Sequence, residues 1–264
     1  MIRKTLAATK LATYSIDLPN RASNGMPTPT GTGFFVSPDG WFVTAAHVIT
    51  ENGTSDGPVR ADIPQSWLMK EAYPGNFISG MCQDVSFAYI NPETDFALLK
   101  VDWDANREKD HLRGRTGFPF LTVSDRELNE GEPVYAFGYP LPSPVMFTPT
   151  AGHSGHSPRV TSAIVTSTLE RSAFVSSPQD AKVYVLDKAL NYGNSGGPIL
   201  STATGKVHAL CSRFQPVSVP QNHIRYGNQP LQIVIPSLYG VVSSLANGEI
   251  LNQLQSRGIA VMSD

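Results

Sequence analysis

Short apolar runs broken by glycine and proline constrain this chain most. Gly33–Val36, Trp41–Ile49, Ser86–Ile90, Phe96–Val101, Val134–Phe137, Ala163–Thr166, Lys182–Leu186, Pro198–Leu200, Lys206–Cys211 and Leu231–Ile235 are mostly four to eight residues long. They are rich in Val, Ile, Phe and Tyr, side chains that fit a pleated surface. The 22 glycines and 21 prolines spread between them supply turns. Many short strands at such spacing predict an all-β fold, a sandwich or a pair of barrels. No repeat of fixed period is visible.

Helical signals are scarce. The main one is C-terminal: Ser237 after Pro236 can cap a helix over Leu238–Ala246, and Glu249–Arg257 can form another turn or two. The stretch Leu11–Leu18 alternates like a strand. Glu51–Gln83, with an apolar patch at Trp67, Leu68 and Met69, and Gly138–Pro158, with five prolines, are expected to be long loops. The charged, turn-rich stretch Asp102–Gly117 is the best junction between two halves, residues 1–117 and 118–264.

Composition narrows function by exclusion. A net charge of −2 with scattered Lys and Arg offers no basic face for nucleic acid. With 41% hydrophobic residues, the chain of 264 can bury a core. The two cysteines, Cys82 and Cys211, cannot build a disulfide scaffold, and are expected to be buried apolar side chains. No apolar run of 18 residues exists, so no membrane span is expected. The N-terminal Arg-Lys pair is not followed by the apolar core of a signal peptide, so a cytoplasmic protein is expected.

Three local motifs carry chemistry. In Phe42-Val43-Thr44-Ala45-Ala46-His47-Val48, apolar residues anchor a histidine that alone would read as structural. In Thr94-Asp95-Phe96-Ala97-Leu98, Asp95 either caps a turn or accepts the Nδ1–H of His47, fixing the tautomer that leaves Nε2 free to take a proton. In Gly193-Asn194-Ser195-Gly196-Gly197-Pro198, glycines allow backbone conformations closed to other residues, so that the N–H groups of Gly193 and Ser195 can converge on an oxyanion. Asn194, between them, belongs to the same candidate hole. The order His, Asp, Ser suits a nucleophile, its base and an orienting carboxylate. The same Ser motif fits the G-x-S-x-G elbow of α/β-hydrolases, but an elbow leads into a helix and its acid and histidine follow the Ser in that order. Here Pro198-Ile199-Leu200 follows, and no acidic residue separates Ser195 from His208 or His223.

At this point the sequence resembles a family. GTGFFVSPDGWFVTAAHVI (31–49), ETDFALLKV (93–101), GEPVYAFGYP (131–140), RVTSAIVTSTLER (159–171), LDKALNYGNSGGPIL (186–200) and LQIVIPS (231–237) are similar, in collinear order, to the protease domain of HtrA/Deg-type trypsin-like serine peptidases. The resemblance implies two packed six-stranded antiparallel β-barrels with a C-terminal helix, and a site in the cleft between them. It implies a serine endopeptidase acting on protein or peptide substrates through an acyl-enzyme, with Ser195 as nucleophile, His47 as general base and acid, and Asp95 orienting, without metal or other cofactor. In this fold the floor of the pocket for the residue before the scissile bond (P1) is six residues before the nucleophile. That places Ala189 there, beside Leu190, with Leu210, Cys211, Ser212 and Arg213 along the wall. An uncharged floor favours a small or medium apolar P1 residue over Arg or Lys.

Departures from the family pattern matter as much. No PDZ domain of the kind such proteases usually carry is expected after Ser237, so control is expected from loop ordering, with Gly138–Pro158 as the candidate, or from a regulatory protein partner. Asn194 stands where secreted trypsin-like enzymes have the aspartate that pairs with a newly cleaved N-terminus. A catalytically latent scaffold of the same fold is the competing reading. His153 and His156 lack a third ligand and read as loop residues rather than a metal site. Asn52-Gly53-Thr54 is a glycosylation sequon that matters only in a secreted chain. Gly31-Thr32-Gly33 leads into a strand and is not a phosphate loop.

Overall fold

A computed structural model describes residues 2–19, 27–70, 80–140, 158–170, 182–214, 217–226, 229–235 and 239–263. It is mostly β, with two helices, α1 (Ile2–Ala12) and α2 (Gly248–Gln255). The first sheet contains β1 (Thr13–Pro19), β2 (Pro27–Phe35), β3 (Trp41–Ala45), β4 (Trp67–Lys70), β5 (Gly80–Cys82), β6 (Val85–Asn91) and β7 (Phe96–Val101), in the order β5-β4-β1-β2-β3-β7-β6. It curls as a half-barrel. The second contains β8 (Val123–Ser124), β9 (Pro133–Gly138), β10 (Arg159–Glu170), β11 (Lys182–Leu186), β12 (Pro198–Ser201) and β13 (Val207–Phe214). A separate hairpin, β14 (Val217–Tyr226) with β15 (Gln229–Ile235), follows. β16 (Gly240–Ser244) and β17 (Val261–Met262) complete the second sheet. The ring β9-β10-β11-β16-β13-β12 returns to β9, giving a closed six-stranded antiparallel barrel. So the fold is the expected one, with the first of its two barrels drawn as a curled seven-stranded sheet among the described residues.

Each terminal helix reaches across to the other sheet. Thr5 of α1 lies against Gly205 in the turn after β12. Glu249 of α2 accepts hydrogen bonds from Tyr89 Oη and, at 3.0 Å, from Asn91 Nδ2 on β6. The main core is accordingly continuous, running from Tyr14, Phe34 and Leu98 to Val207, Leu245 and Leu254. The connecting segment is anchored by Phe118, which stacks on Phe35 at 4.1 Å between ring centroids and meets Trp103 edge-on at 5.0 Å. Such aromatic pairs contribute about 0.5–1.5 kcal/mol each beyond area burial.

Three expectations are corrected. Leu238–Ala246 is not a helix: its described part forms β16, because β-branched Val241 and Val242 fill a gap between β11 and β13. The true cap of α2 is Asn247, whose Oδ1 accepts from the N–H groups of Glu249 and Ile250 at 3.0 and 3.3 Å. Ser237 lies outside the described residues. Glu51–Gln83 contains β4 and β5 and is not one loop: Leu68 and Cys82 pair and are both fully buried. Finally, α1 was not anticipated. Lys70 supplies what its sequence lacks, donating from Nζ to the terminal carbonyls of Lys10 and Leu11 at 3.3 and 2.9 Å. Lys70 is only 6% exposed, and burial pushes its pKa down to about 8.

Candidate active site

The register of β3 on β7 brings the first two motifs together. Ala45 pairs with Phe96, so the residues just outside the paired ends, His47 and Asp95, meet. His47 lies in a single 3₁₀ turn, Ala46–Val48. Asp95 adopts φ +55°, a left-handed conformation that Asp tolerates better than most residues. Its backbone and side chain both grip the histidine segment. The Asp95 carbonyl accepts from Ala46 N–H at 2.9 Å, and Oδ1 accepts from His47 N–H at 3.0 Å. Oδ2 lies 2.8 Å from His47 Nδ1 and accepts from Ser212 Oγ at 2.5 Å.

Asp95 has no exposed surface. Burial would raise its pKa, but hydrogen bonds from His47 and Ser212 and the nearby imidazole reverse this, so the carboxyl sits below its usual value. An ionised carboxylate can only accept, so Nδ1 carries the proton and Nε2 faces away from Asp95 with a lone pair.

The third motif lies across a cleft of about 610 Å³. His47, Val48, Thr50 and Arg60 line one side; Leu190, Tyr192, Gly193, Ser195, Cys211 and Ser212 line the other. Around the serine the backbone is tightly bonded. Asn194 N–H reaches Asn191 O at 3.1 Å, Gly197 N–H reaches Asn194 O at 2.8 Å, and Gly196 N–H reaches Cys211 O at 2.6 Å. Gly193 has φ +91° while Tyr192 keeps a negative φ. With the bond from Asn194 to Asn191, this is the pattern of a type II turn. Types I and II differ by a flip of the central peptide, here the 192–193 peptide that carries the Gly193 N–H.

The expected substrate residues divide. Leu190, Cys211 and Ser212 lie on the cleft wall. Ala189 is half-buried and adjacent, whereas Leu210 is fully buried in the main core, its side chain directed away from the cleft by strand alternation. The side chain of Arg213 lies outside the described residues, as do His153, His156 and most of Gly138–Pro158. Asn194 is buried. Its N–H is committed to the turn and its Oδ1 occupies the space beside Gly138, so it is not a free donor at the hole.

Several residues escaped the sequence reading. Tyr192, 66% exposed, stands on the cleft rim. Gly240 on β16 faces Leu190: a Cβ there would lie 3.0 Å from Leu190 Cγ and 2.7 Å from Lys188 O. Ser212 was read as pocket wall, and its bond to Asp95 was not foreseen. No sequence pattern signals these contacts, because each depends on segments far apart in the chain. Among the described residues, no cluster of three His, Cys, Asp or Glu could hold a metal. None of the helices among the described residues is long and apolar enough to span a membrane.

Comparison with known proteins bears on the same segments. Residues 31–210 match the "Trypsin-like peptidase domain" family. Serine protease HTR4 of Rattus norvegicus is 28% identical over 179 residues, covering 67% of this chain and 28% of the relative. The chain thus spans less than a third of the length of the curated relatives it matches. Among solved structures, the Rv3671c protease of M. tuberculosis in its active form superposes with a TM-score of 0.57 at 18% identity, covering 98% of this chain and 86% of that one. The HtrA-type protease AlgW with tripeptide gives 0.58 at 16%, covering 98% and 65%. At such identities these structures speak for the fold.

Proposed function

Because this chain belongs to the trypsin-like peptidase domain family, we propose that it is a serine endopeptidase whose two halves act as one unit on protein or peptide substrates. The observation that carries this reading is the fully buried Asp95 held 2.8 Å from Nδ1 of His47, which lines the same cleft as Ser195. His47 Nε2 takes the Ser195 hydroxyl proton as Oγ attacks the scissile carbonyl carbon. The carbonyl oxygen becomes an oxyanion held by the Gly193 and Ser195 N–H groups. As the tetrahedral intermediate collapses, the C–N bond breaks and His47 gives the proton to the leaving amine. Water, deprotonated by His47, then releases the acyl group and restores Ser195. Asp95 keeps the imidazole in the required tautomer and stabilises the imidazolium that forms in each half-reaction. The intact constellation favours this over a latent scaffold. Control by loop ordering around 138–158 or by a protein partner fits an Asn at 194 in place of an activating acid.

The P1 pocket is apolar and shallow in this reading. Leu190 packs against Gly240 and fills depth that a long side chain needs. A peptide library is expected to show cleavage after small or medium apolar residues, with P1 Arg and Lys disfavoured at least tenfold, as ~1.4 kcal/mol of unmet desolvation implies. A profile dominated by P1 Arg or Lys contradicts this pocket.

A further inference from the structure

The Gly31-Thr32-Gly33 motif, which is no phosphate loop, lies directly behind the nucleophile turn. Glycine on either side lets β2 press into place. A Cβ at Gly31 would lie 2.7 Å from Val48 Cγ2 and 3.0 Å from Ser195 O, and one at Gly33 would lie 2.2 Å from the Phe42 ring. Thr32 is thus the one side chain the motif places there, and it is fully buried. Its backbone N–H donates to Ser195 O at 2.7 Å, and its carbonyl accepts from Thr44 Oγ1 at 2.8 Å. Its hydroxyl accepts from Tyr139 N–H at 2.9 Å and donates to Gly193 O at 2.6 Å.

We propose that Thr32 is a positioning residue for the oxyanion hole. Its hydroxyl fixes the Gly193 carbonyl and so holds the 191–194 turn in its type II form, with the Gly193 N–H facing the reacting oxygen. The physical basis is directional. A hydroxyl with one proton, already accepting from Tyr139, has that proton to give, and the Gly193 carbonyl receives it. The chain Tyr139–Thr32–Gly193 ties the end of β9 to the turn, and each bond polarises the next. Without the hydroxyl, the Gly193 carbonyl loses a buried partner and the turn is free to flip the 192–193 peptide. A weakened oxyanion donor lowers transition-state binding rather than substrate binding.

This inference rests on the reading of Ser195 as nucleophile, and its test separates the two. Thr32→Val keeps the shape and removes the hydroxyl; Thr32→Ser keeps the hydroxyl. Thr32→Ala is the fallback where Val fails to fold. On a peptide substrate, Thr32→Val (or Ala) is expected to lower kcat by about 10- to 100-fold, a part of the loss expected for a whole donor. KM stays within about twofold, because substrate binding is untouched. Thr32→Ser restores kcat to within about threefold. Independently of turnover, the Tyr192 Hα–Gly193 N–H nuclear Overhauser effect, strong in a type II turn and several-fold weaker in type I, where the two protons lie further apart, is expected to drop in Thr32→Val or Ala and not in Thr32→Ser. An unchanged Tyr192–Gly193 Overhauser effect in Thr32→Val or Ala overturns the inference, whatever kcat does. So does a kcat loss that Thr32→Ser fails to rescue, or one matched by an equal rise in KM. Absence of any Ser195-dependent turnover in the wild type overturns the nucleophile reading instead, and the Tyr192–Gly193 Overhauser effect still decides the role of Thr32.

Discussion

Ser195→Ala is expected to lower kcat by about 10⁶-fold, and adding His47→Ala is expected to lower it hardly further. The two side chains act as one device: a hydroxyl is a weak nucleophile until a base takes its proton, and the base has nothing to activate once the hydroxyl is gone. Loss of either therefore removes most of the same stabilisation. A residual rate of about 10³–10⁴ over water should survive, supplied by the Gly193 and Ser195 N–H groups and by substrate binding. The fold should persist. Ser195 is half-buried, and the contacts that order its turn, backbone bonds to Thr32, Cys211 and Asn194 and the Thr32 hydroxyl on Gly193 O, do not use the Ser195 hydroxyl. Single-turnover kinetics of the two single variants and the double variant measure this. Multiplicative losses in the double variant would show that Ser195 and His47 do not work on one proton.

Asp95→Asn is the second large effect, with an expected fall in kcat of about 10⁴-fold. The amide fills nearly the same volume, and its oxygen can still accept the His47 backbone N–H. However, an amide facing Nδ1 with its NH₂ group favours the other tautomer, which puts the proton on Nε2 where the base needs a lone pair. It also removes the negative charge that steadies the imidazolium. The site is built to keep that charge: Ser212 Oγ and His47 N–H both donate to a carboxyl without solvent contact. Substrate affinity should change little, so the loss falls on kcat. As the wild-type rate needs neutral His47, the variant's rate should rise further into alkaline solution, where hydroxide substitutes for the missing base. A loss below about tenfold would mean that Asp95 only caps its turn.

The order of three motifs was enough to name the candidate trio, because each is local: a histidine after an anchored strand, an acid at a strand start, a serine among glycines. Their meeting depends on register, and the apolar patterns of β3 and β7 are strong enough to set it. The strands were equally legible wherever β-branched and aromatic residues cluster. Elsewhere long-range contacts decided. Helix α1 needs Lys70, from β4, to satisfy its last carbonyls. Val241 and Val242 could read as helix or strand, and only the empty place between β11 and β13 selected the strand. Leu210 and Ser212 looked alike as pocket wall, yet one turns into the core and the other bonds Asp95. Thr32 was hidden most completely, since its four partners come from segments 12 to 163 residues away.

Reaction with a fluorophosphonate tests the central claim most directly, because a serine hydroxyl whose proton a base takes attacks phosphorus far faster than an ordinary hydroxyl does. Intact-mass measurement of the wild-type chain is expected to show one added phosphonyl group, mapped to the peptide that contains Ser195. Ser195→Ala should take up none, and His47→Ala should react far more slowly. An unmodified wild-type chain, or a phosphonyl group carried on any other residue, would contradict the account.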